Sequence, residues 1–312
     1  MMKSTICVLS ALALSSFAPG IAHAVCPATP TDWDSEDCTV NGGATNVCTW
    51  TASTYSCDFS AAGGASNLIL VSSYDGTYFI EAWGDWNGED FCCHSPTGWS
   101  GDDVVVYGST YGDLLSLSHP SWGYLEYDTG TPNDPLTGAT VWGDEGNDTI
   151  HGSTETNVIY HEDLYGEDGA DTIHGHEGDD YISGGDHADT LNGNAGDDEM
   201  DGGHGSDIMD GGDGKDTMNG GTDADFMSGG DDDDTMDGGP GGDVMCGDGE
   251  TTGDVIDAGD TDTEAIPDKI WAAVSDDTCD CGSTSTYWDG NCTDPTSSCG
   301  TNYLYDKPAM CP

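Results

Sequence analysis

A single large apolar residue returns at every ninth position along the middle of the chain: Ile173, Ile182, Leu191, Met200, Met209, Met218, Met227, Met236 and Met245. Ile150 stands in the same context upstream. The residues between are almost all Gly, Asp, Asn, Ser, Thr or His. Aligned on this period, nine units follow one another without a gap from Gly166 to Cys246: GEDGADTIH, GHEGDDYIS, GGDHADTLN, GNAGDDEMD, GGHGSDIMD, GGDGKDTMN, GGTDADFMS, GGDDDDTMD and GGPGGDVMC. A tenth, GDEGNDTIH, begins at Gly143. Each unit reads as a six-residue turn followed by a three-residue strand, glycine supplying the positive φ angles such turns need. Two units then make one coil, and every second turn stacks on the same side.

Two positions besides the apolar one are constant. The first is always Gly: Gly143, Gly166, Gly175, Gly184, Gly193, Gly202, Gly211, Gly220, Gly229 and Gly238. The sixth is always Asp: Asp148, Asp171, Asp180, Asp189, Asp198, Asp207, Asp216, Asp225, Asp234 and Asp243. Parallel strands stack ~4.8 Å apart, so each side of the coil becomes a column of carboxylates. Two unit charges at that spacing repel by about 1 kcal/mol even in water. One buried Met or Ile returns about 1.5–3 kcal/mol, while ordering nine residues costs about 1–2 kcal/mol each. A divalent ion must hold such a coil together. Ca²⁺ fits, because it takes carboxylate and carbonyl oxygens in flexible geometry, whereas Mg²⁺ demands a tighter octahedron.

These units resemble the G-G-x-G-x-D-x-U-x nonapeptide of the RTX (repeats-in-toxin) calcium-binding family. The resemblance implies an all-β fold, a right-handed parallel β-roll. It also implies that Ca²⁺ bridges neighbouring turns through the sixth-position aspartates and turn carbonyls. Gly166, Gly175, Gly184, Gly193, Gly202, Gly211, Gly220 and Gly229 are the candidate carbonyl donors, for about seven ions or more. Family members are secreted proteases, lipases, toxins, epimerases and adhesins in which the roll is an accessory module, so it names no activity. The chain departs from the family in carrying an N-terminal signal and many cysteines. His187, Asp223 and Asp232 replace the fourth-position Gly, which predicts weaker calcium binding in those turns. Lys215 is the only cation inside the roll.

The repeats decay at both ends. GSTETNVIY, from Gly152, puts Asn157 at the sixth position and is followed by an interrupting HEDLY. Gly247 to Asp257 fits with two inserted residues, placing Asp254 sixth and Ile256 eighth. Upstream, Gly98 to Val106 fits with Asp103 and Val105 in register, and Gly108 to Ser116 with Asp113 and Leu115. These limits divide the chain into a secretory signal (1–24), a Cys-rich β cap (25–97), a degenerate transition (98–142), the roll (143–260) and a Cys-rich C-terminal cap (261–312). Within the first cap, Leu68–Val71 and Tyr78–Trp83 read as strands.

Lys3, the apolar stretch from Ile6 to Phe17 and Ala22-His23-Ala24 form the expected signal peptide. No later stretch approaches the ~20 apolar residues of a transmembrane helix. The expected location is therefore extracellular or at the cell surface. Removing Cys7 with the signal leaves twelve cysteines, as expected for disulfides in an oxidising compartment, with connectivity open. Cys246 stands apart from both clusters and is expected to tie the C-terminal segment to the middle. The full chain carries 60 acidic residues against four lysines, a formal charge of −56, which excludes nucleic acid as a partner.

Catalytic signatures are not evident: neither H-E-x-x-H nor G-x-S-x-G occurs. His151, His161, His174, His176, His187 and His204 could hold a transition metal on one face, against the simpler reading of solvated turn histidines. Met200, Met209, Met218, Met227, Met236 and Met245 read as core rather than as a copper-binding stripe. Trp33, Trp50, Trp83, Trp86, Trp99, Trp122 and Trp142 read as cap packing, with sugar stacking as the alternative. The expected function is a calcium-folded structural, adhesive or binding protein with a possible glycan or protein partner at the cell surface. The alternative is a secreted hydrolase with catalytic residues before Gly143.

Overall fold

The computed structural model describes strands within residues 39–94, and then residues 103–117, 138–153, 161–247, 253–259, 268–271, 278–280, 287–288 and 311. The expected signal peptide, Asn157, the side chains of most of the cysteines and those of all the tryptophans named above except Trp142 lie outside the description. Among the described residues every regular element is a β-strand, and no helix is long and apolar enough to cross a membrane.

The described strands form two sheets, of 14 and 11 strands, that the chain visits alternately from Asp103 onward. Pairing is parallel with an offset of two units: Thr172 faces Thr190, Leu191 faces Met209 and Met218 faces Met236. This is the coil of two nonapeptides. Because alternate residues of a strand point to opposite faces, the eighth-position residues turn inward and form one ladder per sheet. Leu115, Ile150, Ile173, Leu191, Met209, Met227, Met245 and Ile270 run along the first sheet. Val106, Val141, Leu164, Ile182, Met200, Met218, Met236, Ile256 and Cys279 run along the second. All are buried, which makes the methionine series core.

The ladders run past the ten regular repeats in both directions. Asp254 and Ile256 take the sixth and eighth positions expected from the two-residue insertion, Ile256 facing Met236. Beyond them Lys269–Trp271, Thr278–Asp280 and Tyr287–Trp288 continue the parallel pairing. Towards the N-terminus, Asn67–Tyr74 pairs in parallel with Leu114–Ser116, and Tyr78–Trp86 and Glu89–His94 extend the first sheet from it as antiparallel strands. Cys246 forms a disulfide with Cys311 and packs with Trp271, so the end of the chain is tied to the roll. Cys57 and Cys279 are also disulfide-bonded.

Two registers differ from the sequence reading. Val106, not Val105, faces Val141 and is buried together with Val104. A slip of one residue exchanges the faces of a strand, and the packed pair Val104/Val106 sets the register. Second, the five extra residues after Gly152 do not separate two complete units. The structure places Glu162 at the sixth position and Leu164 at the eighth, facing Val141 and Ile182. The five extra residues therefore fall between Gly152 and Glu162. Lengthening a surface turn costs little loop entropy, whereas displacing Leu164 would empty the core.

Positive φ angles fall at the second and fourth positions of the turns, as at Gly203 (98°) and Gly205 (137°). His187, Asp223 and Asp232, the departures from the fourth-position Gly, hold φ of 87°, 82° and 84°. An L-residue pays roughly 1–2 kcal/mol for that conformation, part of which Asp recovers locally. Asp223→Gly is therefore expected to stabilise the calcium-loaded fold by about 0.5–1 kcal/mol, after the entropy that Gly loses on folding. Calorimetry should show a higher Tm; an unchanged or lower one would contradict the strain.

Candidate metal centre

The turn from Gly202 to Asp207 shows how the site is built. The Asp207 N–H donates to Oδ1 of Asp225 (2.8 Å), one coil further on, and Oδ1 of Asp207 accepts from the N–H of Asp189 (2.8 Å). The same bond repeats down each side of the roll. One column runs Asp113, Asp148, Asp171, Asp189, Asp207, Asp225, Asp243 and Asp268, with seven links of 2.5–3.0 Å. The other runs Glu162, Asp180, Asp198, Asp216, Asp234 and Asp254, with five links of 2.8–3.0 Å. All ten sixth-position aspartates of the repeats thus stand in two unbroken lines, alternating between them once Glu162 is counted between Asp148 and Asp171.

Only Oδ1 is used in these links. In Asp148, Asp171, Asp180, Asp189, Asp198, Asp207, Asp216 and Asp225 the second oxygen, Oδ2, is buried and has no hydrogen-bond donor. A buried carboxylate oxygen without a donor or counter-ion is strongly unfavourable. What faces it is another acceptor. A Cβ added to Gly202 would lie 2.6 Å from Oδ2 of Asp207 and 2.5 Å from the carbonyl oxygen of Gly220. At Gly175 the corresponding distances are 2.6 Å to Asp180 and 2.9 Å to the Gly193 carbonyl, and at Gly220 they are 2.7 Å to Asp225 and 2.8 Å to the Gly238 carbonyl. Carboxylate and carbonyl oxygens of successive turns therefore crowd the same space.

Such an acceptor-only, all-oxygen environment is the donor set of a hard cation. The first-position glycines contribute through the absence of a side chain. Their φ angles are not in the positive set, so their invariance is steric; the conformational role of glycine falls to the second and fourth positions.

Electrostatics point the same way. Burial raises the aspartates far above the ordinary carboxylate range: Asp171 and Asp216 to about 6, Asp148 and Asp189 to about 7, Asp180, Asp198 and Asp225 to about 8. Repulsion within a column adds to it, as between Asp225 and its neighbours Asp243 and Asp207. Without a cation these groups give up their protons only as pH rises through about 6–8; a bound dication favours the ionised form.

Glu162 and Asp268 are the members that sequence reasoning missed. Glu162 is 2% exposed, its N–H donates to Asp180 Oδ1, and burial pushes its pKa up. Asp268 accepts from the Asp243 N–H at 3.0 Å. Each precedes a core residue by two positions (Leu164, Ile270), a local acid-x-aliphatic signal that survives where the glycine spacing does not.

Substituting Asp207 by Ala removes the acceptor of the Asp189 N–H, which costs about 1–3 kcal/mol, and takes a carboxylate from the turns on both sides. Calcium stoichiometry by equilibrium dialysis is expected to fall and the calcium-loaded Tm with it. Unchanged stoichiometry would count against a ligand role.

The remaining candidates separate cleanly. His161, His187 and His204 are exposed and engage Asp163, Asp168 and Thr222 respectively; His151, His174 and His176 lie together. Trp142 stacks between Tyr107 (4.9 Å, 7°) and Tyr165 (5.6 Å, 8°) on the outside of the second sheet. Both ring faces are covered by neighbours, which leaves no face for a sugar. Lys215 pairs with Asp233 at the surface.

No curated protein sequence matches the chain. The model of the RTX calcium-binding nonapeptide repeat matches it in four copies, over residues 142–160, 159–186, 183–218 and 210–245. Residues 142–245 are RTX calcium-binding nonapeptide repeats, and the fold they build is a calcium-binding β-roll.

Proposed function

We propose that the chain is exported and that calcium outside the cell sets it into a rigid structural or adhesive element at the cell surface. The observation that carries this reading is the pair of carboxylate columns with donor-less Oδ2 atoms, which ties the folded state to calcium. A chain of this kind stays unfolded where calcium is scarce and folds where it is plentiful. The Cys246–Cys311 disulfide supports an oxidising destination. We assign about seven ions or more to the turns, held by the sixth-position aspartates and the first-position glycine carbonyls.

A groove of ≈610 Å³ on the outside of the second sheet, with Glu167, Asp186, Asp201 and Asn219 in its lining, is the surface open to a glycan or protein partner. The test is retention on producing cells. Labelled, calcium-loaded protein should bind them and be released by chelator, whereas Asp207→Ala should be retained poorly. Equal partitioning into the medium with and without calcium would end the surface role.

A further inference from the structure

Three histidines that the calcium columns do not use form a cluster on the outer face of the first sheet. His151 and His174 are register partners on adjacent strands, and His176 follows two residues after His174 on the same face. Ring centroids lie 4.9 Å apart for His151–His174, 5.4 Å for His151–His176 and 5.7 Å for His174–His176. Nδ1 of His151 is 3.2 Å from Nε2 of His176. All three are half-buried. The next coil carries Asn192 and Asn194 at the corresponding places, so the cluster is confined to two strands.

We infer that His151, His174 and His176 form a site for a borderline divalent transition-metal ion, Zn²⁺ or Cu²⁺ in class, separate from the calcium columns. The spacing is what such an ion requires. With metal–nitrogen bonds of ~2.0–2.1 Å and tetrahedral angles, bound nitrogens lie ~3.3 Å apart and imidazole centroids ~5.2 Å apart. The facing nitrogens and all three centroid distances fall close to those values. Ring orientation is the part still to change: the planes lie 5–23° from one another, stacked. Among the described residues no three ligating side chains converge on one point. Convergence needs side-chain rotation, since the backbone already supplies the spacing. Imidazole selects Zn²⁺ and Cu²⁺ over Ca²⁺, and the all-oxygen turns select the reverse, so both sites can fill together.

The test uses the full chain saturated with calcium. One equivalent of Cu²⁺ should give an electron paramagnetic resonance spectrum with nitrogen hyperfine structure, and Cu²⁺ should displace Zn²⁺ loaded beforehand. The combined variant His151→Gln, His174→Gln, His176→Asn should weaken binding about ten-fold or more. Asn is chosen at 176 because that residue holds φ of 78°, which Asn tolerates. Calcium-dependent circular dichroism of the variant reports folding separately. His187→Gln with His204→Gln should leave the spectrum unchanged. Copper without nitrogen coordination in the unmodified protein, or affinity equal to it in the folded triple variant, overturns the inference.

Discussion

Chelating calcium from the protein at pH 8 is expected to abolish most of its far-ultraviolet sheet signal and its cooperative melting transition, and readdition to restore both. The columns stack their acidic residues through seven and five successive links, each from a backbone N–H to the next carboxylate. At ~4.8 Å each pair of ionised groups repels by about 1 kcal/mol in water and about 3.5 kcal/mol at an effective dielectric constant near 20. Either total is comparable with or above the whole stability of a domain, about 5–15 kcal/mol. Bound ions remove the repulsion and add, for each site at free calcium 1,000-fold above its Kd, about 4 kcal/mol.

The pH dependence follows from the same groups, with opposite signs for the two states. In the metal-free fold the aspartates are raised from 3.8 to about 6–8. The folded state therefore binds more protons than the unfolded chain. That stabilisation is complete below the unfolded value and is lost as pH rises through 6–8. Chelated protein should regain sheet on acidification towards pH 4. Calcium needs the ionised form, so its affinity should climb across the same window, with protons released on binding into weak buffer. A chelated sample that keeps its full sheet signal at pH 8 would falsify the metal dependence.

Replacing the first-position glycine Gly202 by Ala should be nearly as damaging locally as losing a ligand. The added methyl meets the Gly220 carbonyl oxygen at 2.5 Å and Oδ2 of Asp207 at 2.6 Å. One contact is with backbone of the next coil; the other is with a carboxylate locked in its column. Neither yields without breaking ladder bonds. The expected loss is about 3 kcal/mol or more, placing it among the larger single-residue effects, with fewer ions bound. Ser206→Ala, on an exposed side chain in the same turn, should fall within about 0.5 kcal/mol of the parent. A Gly202→Ala variant equally close to the parent would show that the cradle is not filled by oxygen atoms as described.

How far the chain could be read in advance varies along its length. From Gly166 to Cys246 both unit length and face alternation are periodic, so the eighth-position core and the sixth-position columns could be assigned residue by residue. Outside that run the spacing breaks, and periodicity alone misplaced two strands. Asp103 and Val105 made an acceptable repeat by pattern, yet packing selected Val104 and Val106. Asn157 stood at the nominal sixth place, yet the column took Glu162, because a surface turn accepts five more residues more easily than the core accepts a missing leucine. Six histidines were candidates for a metal on one face, but only the stacking of two coils decided that His151, His174 and His176 meet while His161, His187 and His204 stand elsewhere.

By itself the sequence determined what repetition encodes: an apolar residue at every ninth place sets a two-sheet coil, and an acid two residues earlier sets carboxylate columns that require a hard cation. The tertiary structure alone decided which oxygen of each aspartate is tied to the next turn and which is left for an ion. It also decided where the irregular ends rejoin the ladders and that the first-position glycines are needed for space. Those outcomes depend on contacts between coils 18 or more residues apart, and a pattern read along one strand carries no information about them.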